Sequence, residues 1–314
     1  MTVVPLTEHR QQARLMGSAF EFVTVTAAND PEDHLDTAVA EVRRMEALLT
    51  EFSDTSQTAR LNRAAGIHAV DVDPEVYAIL QRCREISRLT QGAFDITAGV
   101  LKKLYDFRNK PAVLPGRAAI DDALQRVGWD KIVLTPPGQA YLPVPGMHIG
   151  FGAIGKGYAA DKVKSVLLQK GIRSGVINAS GDLTAWGTRP DGTPWKVGIA
   201  DPDAPDRVMA WIPVHQASVA TSGNYEQYVE IDGTRYSHNI DPKTGLPVHG
   251  IKSATVVSPS AELSDALATA VTVMGPAVGL HFIDQLPNTH CLIIDDQNRL
   301  DTSRRLSITL NPAP

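Results

Sequence analysis

Gly150-Phe151-Gly152-Ala153-Ile154-Gly155-Lys156-Gly157 is the stretch on which the reading of the fold turns, because it fits two phosphate-binding patterns that would each demand a parallel α/β sheet. As G-x-G-x-x-G it should open the first βαβ unit and be followed about 20 residues later by an acidic side chain. Here it lies in mid-chain, and the downstream position falls in Lys170-Gly-Ile-Arg173. As G-x-x-x-x-G-K it should continue with Ser or Thr to place a hydroxyl on magnesium, but the next residue is Gly157. With both patterns rejected, what remains is the physics they share. A glycine turn leading into a helix lets main-chain N–H groups approach an anion, and Lys156 adds a point charge. A turn required only by chain geometry is the competing account.

Outward from this turn the chain mixes strand and helix patterns without repeats. Residues 20–27 (FEFVTVTA) are β-branched and aromatic and predict a strand. Residues 33–49 and 75–89 each carry an apolar stripe at helical spacing, and shorter helices are expected near 118–127, 157–170 and 262–274, with a strand at 174–179. The order predicts an α+β protein with mixed or antiparallel sheets flanked by helices. We expect a single domain over 1–314, with the proline- and glycine-broken segment 111–145 as the place for any two-lobe division.

The 314 residues are 43% hydrophobic and carry a formal net charge of -5, which disfavours nucleic-acid binding, since that depends on clustered cations. Cys83 and Cys291 are too few for a disulfide framework and fall in apolar-periodic stretches, where cysteine packs as a small hydrophobe. The N-terminus lacks a signal-peptide pattern, so the chain as given reads as cytoplasmic, or periplasmic had a leader been trimmed, and no membrane span is expected.

Two further clusters carry chemistry. Asp265 and Thr269 stand four apart on the C-terminal helix, so a carboxylate and a hydroxyl share one face and form a hard-oxygen pair suited to Mg²⁺ or Ca²⁺. The bland alternative is a solvated aspartate near a helix start and a threonine bonded to the carbonyl one turn back. In Tyr236-Ser-His238-Asn-Ile-Asp241-Pro-Lys-Thr-Gly245, His238 sits among polar groups and is a candidate general base or a turn cap. Asp241, before Pro242, reads as a turn builder.

Taken in order, eight segments resemble the FAD:protein FMN transferase family, also called the ApbE family. They are Met16-Gly-Ser; Phe52-Ser53 with Ser56 and Arg60-Leu-Asn62; Gly92-Ala-Phe-Asp95-Ile-Thr97; Gly152-Ala-Ile-Gly-Lys156-Gly-Tyr-Ala; Asn178-Ala-Ser-Gly-Asp182; Thr221-Ser-Gly-Asn-Tyr225; Tyr236 to Gly245; and Asp265 to Thr269 with Val273-Met-Gly275. The resemblance covers nearly the whole chain. It implies a cleft that takes FAD as substrate, with Mg²⁺ at its pyrophosphate held by the main-chain oxygen of Ala153 and the side chains of Asp265 and Thr269. It implies FAD contacts from Met16, Phe52, Ala93, Phe94, Asp95, Lys156 and Ile240, transfer of FMN to a Thr or Ser hydroxyl of an acceptor protein, and release of AMP. His238 is the candidate to take the hydroxyl proton. The same residues acting on water would make an FAD pyrophosphatase, and binding without turnover would make a flavin-binding protein. The chain departs from the family pattern at Gly150, where an aspartate is usual, at Ser180 in place of a glycine, at Gln227 in place of an arginine, and at Phe52, where a tyrosine is common.

Overall fold

The computed structural model describes residues 5–28, 33–105, 115–223, 228–231 and 234–310. Its centre is an antiparallel sheet of eight strands whose spatial order follows the chain. These are β1 (Leu6–Leu15), β2 (Ser18–Ala27), β3 (Gly175–Ala179), β4 (Asp182–Trp186), β5 (Ser218–Gly223), β6 (Ile251–Ser258), β7 (His290–Asp295) and β8 (Leu300–Thr302). Helices α1 (Asp33–Leu49), α2 (Gln57–Arg63), α3 (Pro74–Leu89), α4 (Gly99–Lys102), α5 (Arg117–Leu124), α6 (Gly155–Gln169), α7 (Ala261–Met274) and α8 (Pro276–Ile283) complete the α+β architecture.

Strand β2 shows why the sheet is buried on both sides. Alternate side chains point to opposite faces. Phe20 and Phe22 join the core formed with α1, α3 and α6, while Val23 and Val25 face a second core. That second core is closed by a three-stranded sheet of Trp195–Asp201, Ala204–Val214 and Thr309–Leu310. Farther along, Ala254 and Val256 of β6 pack against Leu267 and Val271 of α7.

The helices at 33–49 and 75–89 form as their periodicity predicts, the latter starting one residue early at Pro74, where the missing N–H costs nothing. Asp73 caps it by accepting from the Glu75 N–H at 2.8 Å. Two expected spans are corrected. The 118–127 helix ends at Leu124, before Gly128 at φ +143°, and the 157–170 helix begins at Gly155, so the glycine turn supplies its first turn. Strand β1 is not apparent in the sequence, because its charged and polar residues show only a weak apolar alternation at the sheet edge. Residues 106–114, which include the start of the 111–145 segment, lie outside the described set, as do Asn224, Tyr225 and Gln227. From the rest of that segment, Val133–Thr135 and Gln139–Tyr141 pair in a small sheet with Val70–Asp71. Cys83 and Cys291 are free thiols, buried as expected, and burial pushes both pKa values up. Among the described residues no helix is long and apolar enough to cross a membrane.

Candidate active site

Helices α6 and α7 meet where their first turns cross. A Cβ added to Gly157 would fall 2.2 Å from the carbonyl oxygen of Ala261, so only glycine allows this approach. The start of α7 is fixed from both sides of the crossing. Ser260 Oγ accepts from the Leu263 N–H at 3.2 Å, and the Asp161 carboxylate of α6 accepts from the N–H groups of Ala261 and Glu262 at 3.0 and 2.9 Å. Arg82 of α3 adds an ion pair to Glu262 at 2.7 Å.

This crossing brings together residues far apart in the sequence. The first turn of α6 carries no side-chain cap of its own, and the Gly157 N–H donates instead to Asp265 Oδ2 at 3.2 Å. Lys156 pairs with the Asp182 carboxylate, which the β3–β4 hairpin presents from the sheet. Asp265 is buried. Burial, and then repulsion from Asp182, push its pKa well above the usual carboxylate range, with Lys156 and the Gly157 N–H opposing.

Two adjoining cavities open beside the crossing. The outer one, about 380 Å³, is lined by Met16, Phe52 and Lys156 together with Glu46, Leu49 and Phe151. Met16 stands at φ +50° in the β1–β2 hairpin turn, and Phe52 is 92% exposed. The inner one, about 90 Å³, is lined by Ala93, Phe94, Asp95, Ala153, Ile240 and Thr269 among others. Glu51 and Gly152 belong to both and mark their junction. Nine of the eleven residues singled out in the sequence therefore line one continuous cleft.

Asp265 and His238 are the two that do not line it. Asp265 lies behind the α6 turn on the helix that carries Thr269 into the inner cavity. His238 is half-buried on the loop after the strand Thr234–Ser237, next to the lining residues Asn239 and Ile240. That loop is anchored to the main sheet by Asn239 Nδ2 donating to Ser222 Oγ at 3.0 Å. Asp241 closes the following turn, accepting from the Lys243 N–H at 2.9 Å and the Thr244 hydroxyl at 3.0 Å. Asp95 lines the inner cavity, yet its carboxylate already accepts from the Thr97 N–H, the Thr97 hydroxyl and the Trp129 N–H. These bonds hold the local backbone in place.

Asp182, Asp161 and Glu51 were not singled out by sequence reasoning. Asp182 had a signal, since it ends the matched Asn178–Asp182 segment after a Ser-Gly turn. Nothing in the chain order pairs it with Lys156.

The donors around the α6–α7 crossing suit a divalent cation. Asp265 is a buried carboxylate that feels the repulsion of a second one, Asp182, opposed by the Lys156 ammonium, and Thr269 and the Ala153 turn offer further hard oxygens.

The fold and this cleft define a class: an α+β protein with a cleft beside the point where a glycine-rich helix start meets a carboxylate-bearing helix. The ApbE family profile matches residues 16–293, and the chain belongs to that family. It is similar to the FAD:protein FMN transferase of Escherichia coli K12, with 33% identity over 73% of this chain and 67% of the relative. The Treponema pallidum protein of the same name is 32% identical over 87% of this chain and 81% of its own length. Among solved structures, the ApbE protein of Thermotoga maritima superposes with a TM-score of 0.86 at 28% identity, covering 95% of this chain and 97% of the other. The apo flavinyl transferase ApbE of Pseudomonas stutzeri gives 0.84 at 26%, covering 96% of each.

Proposed function

We propose that this protein is a magnesium-dependent FAD:protein FMN transferase that joins FMN to a threonine or serine hydroxyl of an acceptor protein and releases AMP. The observation that carries this reading is the Gly157–Asp265 hydrogen bond at 3.2 Å, which ties an anion-attracting helix start to the carboxylate of a hard-oxygen pair beside a cleft.

FAD lies along the cleft with an aromatic ring against Phe52 and Met16 and its diphosphate at the α6 start. Lys156, oriented by Asp182, binds a phosphate oxygen and offsets negative charge on it as the phosphoanhydride bond breaks. The residues that would hold magnesium are Asp265, Thr269 and the Ala153 carbonyl, and the bound cation supplies charge neutralisation at the diphosphate. His238 accepts the proton of the incoming hydroxyl. Phosphorus thereby gains a bond to the acceptor oxygen and loses one to the oxygen of AMP.

The test is intact-mass analysis of a threonine-bearing acceptor incubated with FAD, Mg²⁺ and the protein. The expected product is heavier by one FMN and is lost with Asp265→Ala. Absence of any adduct on a flavinylation-competent acceptor overturns the reading, and AMP release without acceptor would instead mark a pyrophosphatase.

A further inference from the structure

Glu51 occupies the junction of the two cavities and lines both. Its Oε2 lies 2.6 Å from His148 Nε2, so one carboxylate oxygen is anchored. The other is directed toward Gly150. A Cβ on Gly150 would lie 3.0 Å from Oε1, tighter than nine in ten real contacts of that kind. Gly150 is not among the residues at positive φ, so the backbone does not require glycine there. The missing side chain leaves room for the Glu51 carboxylate. The His148 hydrogen bond, with further attraction from His148, Lys103 and Lys102, holds Glu51 below the usual carboxylate range, which makes it an anion at neutral pH.

An anionic acceptor at this position selects its ligand group. It repels phosphate and favours donors, and it stands between the aromatic wall at Phe52 and the inner cavity that contains Thr269. In a flavin dinucleotide the segment between either ring system and the diphosphate is a polyol, ribityl on the flavin side and ribose on the adenine side. We propose that Glu51, with Oε2 fixed by His148 and Oε1 beside Gly150, is a substrate-binding residue that accepts hydrogen bonds from the polyol hydroxyls of the dinucleotide.

This rests on the flavin-dinucleotide reading of the cleft, and binding measurements separate the two. Riboflavin and adenosine each carry a polyol without phosphate, and lumichrome carries the flavin ring without the ribityl chain. For Glu51→Ala, FAD affinity is expected to fall roughly tenfold to a hundredfold, as when a charge-assisted hydrogen bond is removed. A parallel loss for riboflavin with lumichrome unchanged assigns the ribityl chain, and a loss for adenosine alone assigns the ribose. Glu51→Gln, which keeps shape and one acceptor oxygen, should lose less. Gly150→Ala, which crowds Oε1, should lower the same affinities with Glu51 still present. Unchanged binding of FAD, riboflavin and adenosine in Glu51→Ala overturns the assignment, as does an equal loss for lumichrome. Failure of the wild-type protein to bind FAD overturns the reading of the cleft and Glu51's role with it.

Discussion

Gly157 approaches the Ala261 carbonyl so closely that a Cβ would sit 2.2 Å from the oxygen, and the same residue donates its N–H to Asp265. One glycine therefore sets both the helix crossing and the position of the Asp265 carboxylate that we propose to hold the cation. Gly157→Ala should force the helices apart and lower stability by about 1–3 kcal/mol or more, the range for an overpacked core. Gly152→Ala is the control. Its Cβ meets nothing within 4 Å, so stability should stay within about 0.5 kcal/mol of wild type. Denaturant midpoints measure both, and equal midpoints for the two variants would refute the crossing argument.

Asp265 makes the stability of the metal-free protein depend on pH. Burial, and next Asp182, raise its folded pKa above the unfolded value. The folded state then binds the proton more tightly. Its contribution to stability is complete below the unfolded pKa of about 4 and is lost as pH rises through the folded value. Asp265→Asn removes this loss while keeping an acceptor for the Gly157 N–H. Without metal, its Tm should gain on wild type as pH rises from about 4 toward 8. Mg²⁺ should raise the Tm of wild type, with proton release, and leave the variant unmoved. Parallel Tm profiles for the two proteins would contradict the argument.

Phe52 is 92% exposed, an unusual placement for a phenylalanine, at the rim of the outer cavity. Its removal costs little core packing, so Phe52→Ala should leave the Tm unchanged. Loss of a stacked ring costs about 1–3 kcal/mol, so FAD binding should weaken roughly fivefold to a hundredfold. Fluorescence titration reads the affinity, and wild-type affinity would remove Phe52 from the site.

How much of this was legible in the sequence follows from which interactions are local. The helices 33–49 and 75–89 and strand β2 announce themselves because burial on one face, or on alternate faces, imposes a period on neighbouring residues. The edge strand β1 alternates in burial over residues 9–15, but its half-buried positions carry polar residues such as His9 and Gln11, so the alternation leaves no apolar period in the sequence. Helix α6 starts two residues before its expected position because the orphan N–H that normally needs a local cap is satisfied by Asp265, 108 positions away. The Lys156–Asp182 pair, 26 apart, exists only because the β3–β4 hairpin folds back toward α6. Resemblance to a family supplied the cleft residues, and the Glu51–Gly150 relationship became visible only in three dimensions.

His238 does not line the cleft, and its proposed task is confined to the acceptor hydroxyl. His238→Gln should therefore bind FAD as wild type does while adduct formation slows roughly 10²- to 10⁴-fold, the usual contribution of a positioned base. Equal losses in binding and rate would show instead that the residue shapes the cleft.

Ser180 and Gly181 join β3 to β4 in a two-residue turn, with φ of +57° and +100°. A tight hairpin of this kind requires both central residues in the left-handed region, where a side chain costs roughly 1 kcal/mol and glycine does not. The neighbouring Gly181 N–H is already held by Asn178 Oδ1 at 2.9 Å, so the turn keeps its shape whichever residue stands at 180. Ser180→Gly should raise stability by about 0.5–1 kcal/mol, less the entropy that a glycine adds to the unfolded chain. Because the turn ends at Asp182, relief of strain should leave Lys156 as well oriented as before, and the rate of adduct formation should not fall. A lower denaturant midpoint would show that the serine side chain contributes something to the turn that outweighs its backbone cost.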